Sequence, residues 1–168
     1  MMAPDRLDVA IICTGNICRS PMAEVFARDL VAHDDFLASR VRISSAGTAR
    51  WHVSSPMDPR ARATLDRAGF YGPGSLGAFA DTKYLDAHDL VIAMSREHAR
   101  EARERLTNHD TIVILFRNLL EPGLDLDVAD PYYGTDQEFD DCLALFRRGG
   151  PRLKEEFRRR LGEDSREV

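Results

Sequence analysis

The chain is predicted to fold as an α/β domain, a four-stranded parallel sheet flanked by helices. Three observations carry this. Four short apolar runs, at 9–13, 41–45, 90–94 and 112–115, have the length and composition of buried strands. Segments with helical apolar spacing separate and follow them, as crossover helices do in a parallel sheet. A glycine-containing turn joins the first strand directly to the first helix.

Taken in order, the strand "DVAIIC" is followed by a helix over 21–31, with Ser20 as its cap and Pro21 at the first position, where no amide donor is needed. "MDPRARATLDRAG" reads as a second helix, capped by Asp58, opened by Pro59 and stopped by Gly69. "GFYGPGSLGAF" is a loop. Ser95 caps the helix "REHAREARERL". The last helix opens with a capping box, Thr135 and Glu138. Phe139, Cys142, Phe146, Gly150, Leu153, Phe157 and Leu161 then recur every three or four residues. The phase survives "GGP" at 149–151, which predicts one kinked helix rather than two. No repeat, linker or low-complexity segment divides the chain, so residues 1–168 read as one domain, with 1–7 and 162–168 as flexible tails.

With 168 residues the chain can bury a real core. Its net charge of −5 gives no support to nucleic acid or an acidic membrane as a partner. No apolar run reaches the ~18 residues of a membrane span, and "MMAPDRLD" lacks a signal-peptide core. Three cysteines cannot close an even disulfide framework, so a cytoplasmic protein with reduced thiols is expected.

The nonapeptide "CTGNICRSP", 13–21, concentrates the chemistry. A turn between a parallel strand and a helix N-terminus aims several backbone amides at one point and suits a phosphate. The Gly-Lys-Ser/Thr of a nucleotide-binding loop is absent. Instead Cys13 ends the strand and Arg19 follows six positions later. A thiol beside a helix N-terminus is favoured as thiolate, and a guanidinium fork fits two phosphate oxygens at once. Together they suit a thiolate attacking a bound phosphorus, with amides and Arg19 holding the equatorial oxygens.

"VAIICTGNICRSPMAE", "SSAGTARWHV" and "DPYYG" at 130–134 resemble, in order, the low-molecular-weight protein tyrosine phosphatases. The likeness runs from about residue 8 to about residue 160. It implies a phosphate-binding loop of Thr14, Gly15, Asn16, Ile17, Cys18 and Ser20 in a four-stranded parallel fold. It makes Cys13 the nucleophile that becomes a phosphocysteine and Arg19 the phosphoryl-binding residue. Asn16 would hold the loop's backbone shape, and Ser20 would donate toward the Cys13 sulfur. Asp130 would protonate the leaving phenolate and then activate water, a role needing both protonation states. No cofactor and no metal are implied, and the partner is a phosphotyrosine protein or peptide.

Plainer roles compete at several positions. Cys18 is either a second thiol that traps an oxidised Cys13 as a disulfide or a pocket-lining residue. Cys142 lies on the apolar stripe of the last helix and reads as core. Trp51, Tyr132 and Tyr133 offer aromatic walls for a substrate ring, against simple surface packing. His33, His88, His98 and His109 read as surface or capping residues, and His52 as part of a solvated loop. Arsenate reductases of this fold need further cysteines, and none lies between Cys18 and Cys142. Protein-arginine phosphatases carry threonine where this chain has Ile17 and lack the paired tyrosines. A phosphopeptide-binding module without turnover is disfavoured by intact Cys13, Arg19 and Asp130. The chain also departs from the family pattern. Many members carry a hydrogen-bonded histidine and aspartate around the third strand, supporting the loop through serines equivalent to Ser20 and Ser45. Here Ser75 and Ser95 stand there, so a less rigidly supported loop is expected.

Overall fold

A computed structural model describes residues 2–163. Four parallel strands, β1 (Leu7–Cys13), β2 (Val41–Gly47), β3 (Leu90–Ala93) and β4 (Ile112–Leu115), form one sheet in the order β2-β1-β3-β4. Five helices accompany them: α1 (Arg19–Ala32), α2 (Pro59–Arg67), α3 (Thr82–Asp86), α4 (Arg96–Arg105) and α5 (Asp136–Arg160). The alternation of β1 explains its central place. Val9, Ile11 and Cys13 enter the larger core with α1, α2 and α5, while Ala10 and Ile12 enter the smaller one with α3 and α4. Because β2 and β3 lie on opposite sides of β1, the chain reverses its strand order there. The carboxyl end of β1 therefore opens into the crevice where sheets of this kind place ligands.

Element edges differ from the sequence expectation in instructive ways. The strand begins at Leu7, only 2% exposed, so that residue belongs to the sheet and not to a tail. At the other end, Gly162 and Glu163 fold back onto α5, their amides donating hydrogen bonds to the Arg159 and Arg158 carbonyls; the remainder of that expected tail, and Met1, lie outside the described residues. α1 starts at Arg19 with Cys18 as its unassisted cap, which puts Ser20 and Pro21 inside the first turn. Ser20 is released from capping for another task. Asp58, by contrast, does cap α2, accepting from the Arg60 amide at 2.8 Å, and Gly69 ends that helix at φ 88.

α5 runs unbroken through Pro151. The paired glycines before it allow close packing: a Cβ at Gly149 would stand 2.6 Å from the Phe116 ring, and one at Gly150 3.1 Å from that of Phe26. At the far end, buried Asp34 takes Lys154 and Arg158, fixing the exit of α1 to α5. Burial alone would raise the Asp34 carboxyl, but these cations and the Leu37 amide outweigh it and hold it at about 2. No helix among the described residues is long and apolar enough to cross a membrane.

Candidate active site

Residues 13–20 wrap from the end of β1 into α1, and three features hold the wrap. Asn16 adopts φ 57, a left-handed conformation that asparagine tolerates better than most side chains. Its amide is oriented by its partners. Oδ1 accepts from the Ala78 amide at 3.0 Å, which leaves Nδ2 to donate to Ser20 Oγ at 2.8 Å and Ser45 Oγ at 2.9 Å. Gly47, paired with Cys13, lets the loop lie directly on β2, where a Cβ would come within 2.6 Å of the Thr14 carbonyl.

Because Ser20 Oγ accepts from Asn16, its own proton is free for Cys13 Sγ, 3.0 Å away. A hydroxyl donating to sulfur stabilises a thiolate. Ser45 Oγ donates to Glu24 Oε2 at 2.8 Å, while Ser75 and Arg28 donate to Glu24 Oε1, each at 2.8 Å. Glu24 is fully buried, and these donors offset the cost of removing its carboxylate from water. Ser75 thus does support the loop, but through Glu24. Ser95 does not join it; it caps α4, accepting from the His98 amide at 3.2 Å. The two serines are separate parts: the support that Ser75 gives runs through Glu24, and Ser95 serves its own helix.

Arg19 is buried beneath the loop. Its Nη1 donates to the Val128 carbonyl at 3.1 Å and its Nη2 to Asp130 Oδ2 at 3.3 Å. Asp130 leans over the loop with 44% of its side chain exposed. Its other oxygen accepts from the Tyr132 amide at 3.2 Å. The segment that carries it is tied back by Arg60, which is bonded twice to Asp58 and donates to the Tyr132 carbonyl at 2.9 Å. The Asp58 amide in turn donates to the Ile17 carbonyl at 2.8 Å, so the start of α2 links both walls.

The cleft between them, about 190 Å³ and open to solvent, is lined by Cys13, Arg19 and Asp130 at its base, with Thr14, Gly15, Ile17 and Cys18 of the loop. Trp51, His52, Tyr132 and Tyr133 form the rim. Trp51 is 76% and Tyr133 93% exposed, and Tyr132 and Tyr133 meet edge to face at 4.8 Å. Every site residue expected from the sequence is therefore in or under one cleft, and His52, read as part of a solvated loop with substrate contact as the other role open to it, joins them. Cys18 is a buried free thiol whose titration is pushed far up by burial and by nearby Asp58. Cys142 is buried in α5 and raised to about 12 by burial.

Sequence reasoning missed three contributors. Glu24 carried a signal: Ser20, Glu24 and Arg28 repeat at four-residue steps on one helix face. Arg60 and His98 had none that sequence could supply. His98, expected as a surface or capping residue, is 3% exposed because the first turn of α4 brings it against Thr14 of the loop.

The family model for low molecular weight phosphotyrosine protein phosphatase matches residues 8–163. The chain belongs to that family. Among its relatives, the low molecular weight protein-tyrosine phosphatase A of Mycobacterium tuberculosis is 38% identical over 161 residues, spanning 95% of this chain and 97% of that one. The crystal structure of the phosphatase-family protein YfkJ from Bacillus subtilis superposes with a TM-score of 0.78 at 31% identity, covering 93% of this chain and 97% of that one. The YwlE arginine phosphatase from Geobacillus stearothermophilus shares the fold, with a TM-score of 0.79, 23% identity and coverage of 96% and 99%.

Proposed function

We propose that this chain hydrolyses phosphotyrosine in proteins or peptides through a phosphocysteine intermediate. The observation that supports it best is the convergence of Cys13, Arg19 and Asp130 at the base of one cleft rimmed by Trp51, Tyr132 and Tyr133. In the first step Cys13 Sγ attacks phosphorus as the bond to the tyrosine oxygen breaks, and protonated Asp130 gives its proton to that oxygen. Ser20 steadies the thiolate beforehand, and Arg19 with the loop amides holds the phosphoryl oxygens throughout. In the second step water attacks phosphorus, ionised Asp130 takes the water's proton, and the S–P bond breaks to return thiolate and phosphate.

The aromatic rim and apolar Ile17 favour an aryl phosphate over a short alkyl one, through ring stacking and burial. An arginine phosphatase is the rival reading, and it has a relative of this fold. One experiment separates them: kcat/KM on matched phosphotyrosine, phosphoserine and phosphoarginine peptides, with a chelator present. A clear preference for phosphotyrosine, undiminished by chelation, is expected. Comparable values on all three, or dependence on added metal, would contradict the proposal.

A further inference from the structure

His98 is a buried ionisable group without a part in the chemistry above. Its Nε2 lies 2.7 Å from Thr14 Oγ1, on the residue that follows the nucleophile. Its Nδ1 is buried and is the only such side-chain atom among the described residues without a hydrogen-bond partner. Burial, and then the neighbouring Arg19 guanidinium, depress its titration to about 4, against the opposing pull of Asp127 and Asp130. The ring is thus neutral at ordinary pH and carries one N–H. A buried N–H without an acceptor costs more than a bare lone pair, so the proton belongs on Nε2, which donates to Thr14.

That bond completes a clamp. The Cys13 and Thr14 carbonyls accept from the Thr48 and Ala49 amides at 2.9 and 3.0 Å, which fixes the loop entry to the segment after β2. The Thr14 side chain fixes the same peptide to α4 on the opposite side of β1, and the Ser95 cap holds His98 in place. Asn16 secures only the later part of the loop. The first turn after the nucleophile depends on these two anchors.

We propose that His98 is a positioning residue for phosphoryl binding, holding the Thr14 hydroxyl through Nε2–H so that the peptide after Cys13 keeps its phosphate-ready direction. The inference rests on the phosphatase reading, and wild-type turnover of para-nitrophenyl phosphate tests that reading separately. His98→Leu and Thr14→Val each remove the bond with little change in shape. Each should lower kcat/KM and weaken competitive inhibition by inorganic phosphate about tenfold, the scale of one lost hydrogen bond. His98→Gln should restore most of both, since its amide nitrogen stands as many bonds from Cα as Nε2 does. His98→Asn, which matches Nδ1 instead, should not. The double variant Thr14→Val with His98→Leu leaves no buried group unpaired, so it guards against a folding failure, and it should lose no more than either single variant. Wild-type phosphate inhibition in a folded His98→Leu or in the double variant would overturn the proposal. So would losses that multiply in the double variant, or equal behaviour of the Gln and Asn replacements.

Discussion

The two walls of the cleft are built on opposite plans. The loop wall is buried and held by a chain of side chains, Ser20, Asn16, Ser45, Glu24 and Ser75, none of which needs to move. The opposite wall, Asp130 to Tyr133, is half open to water and is held by Arg19, Arg60 and the Val128 carbonyl contact. The difference follows the chemistry. Phosphoryl oxygens keep their places through both steps, so their donors gain from being fixed beforehand. The acid must meet the leaving oxygen, then water, and must exchange protons with solvent, so exposure suits it.

The largest expected effect breaks the loop wall at its centre. Cys13→Ser should abolish turnover while circular dichroism and thermal unfolding stay close to the parent, because the change is nearly isosteric. Arg19→Lys should cost about 10²–10³ in kcat, since an ammonium cannot reproduce the fork that spans two oxygens. A folded Cys13→Ser that retained turnover would remove the loop from the chemistry altogether.

Glu24→Gln sharpens the comparison. It places a donor among three donors and uncharges a buried group, so the loop should loosen. A loss of about tenfold in kcat/KM is expected, the same for good and poor leaving groups, together with a Tm several degrees lower. A loss concentrated on poor leaving groups would show that Glu24 serves the acid wall instead.

The histidine beneath the loop gives a pH signature. Between about pH 4 and 6.5 the unfolded imidazole takes up a proton that folded His98 refuses, so stability falls as pH drops through that window. The two values differ enough to place the contribution near ~3 kcal/mol at its full extent. Urea unfolding at pH 4.5, 5.5 and 7 should show a flatter profile in His98→Leu than in the parent. Parallel profiles would mean that Arg19 and burial do not keep the ring neutral.

What was legible in the sequence tracks how local each signal is. The four strands and the loop could be read because each strand is a short continuous apolar run and 13–21 is contiguous. The capping boundary of α2 could be read because Asp58, Pro59 and Gly69 act on their neighbours. The support of the loop was legible only in part: Asn16, Ser20 and Ser45 came with the family resemblance, but the Glu24 that joins Ser45 to Ser75 and the His98 that reaches Thr14 from α4 did not, because only the fold brings them to the loop. Only the capping reading of Ser20 misled: a serine before a proline has the pattern of a cap, but its hydroxyl lies against Cys13, as the resemblance implied, and accepts from Asn16. The single helix through "GGP" could be read because the apolar phase continues past Pro151, whereas the room that Gly149 and Gly150 leave for two phenylalanine rings could not, because Phe116 and Phe26 come from distant elements.

The smallest effect belongs to the exposed rim. Trp51→Ala should raise KM for phosphotyrosine peptides about threefold to tenfold with kcat nearly unchanged, as expected when binding shared by ground and transition states is removed. A fall in kcat of the same size would mean that the indole also orders the loop.

The division of labour between the walls is tested most directly by Asp130→Ala across a series of phenyl phosphates of graded leaving-group acidity. Losses of about 10²–10⁴ are expected for the poorest leaving groups and little loss for nitrophenolate, because only the former need a proton in the transition state. Equal losses along the whole series would contradict that division.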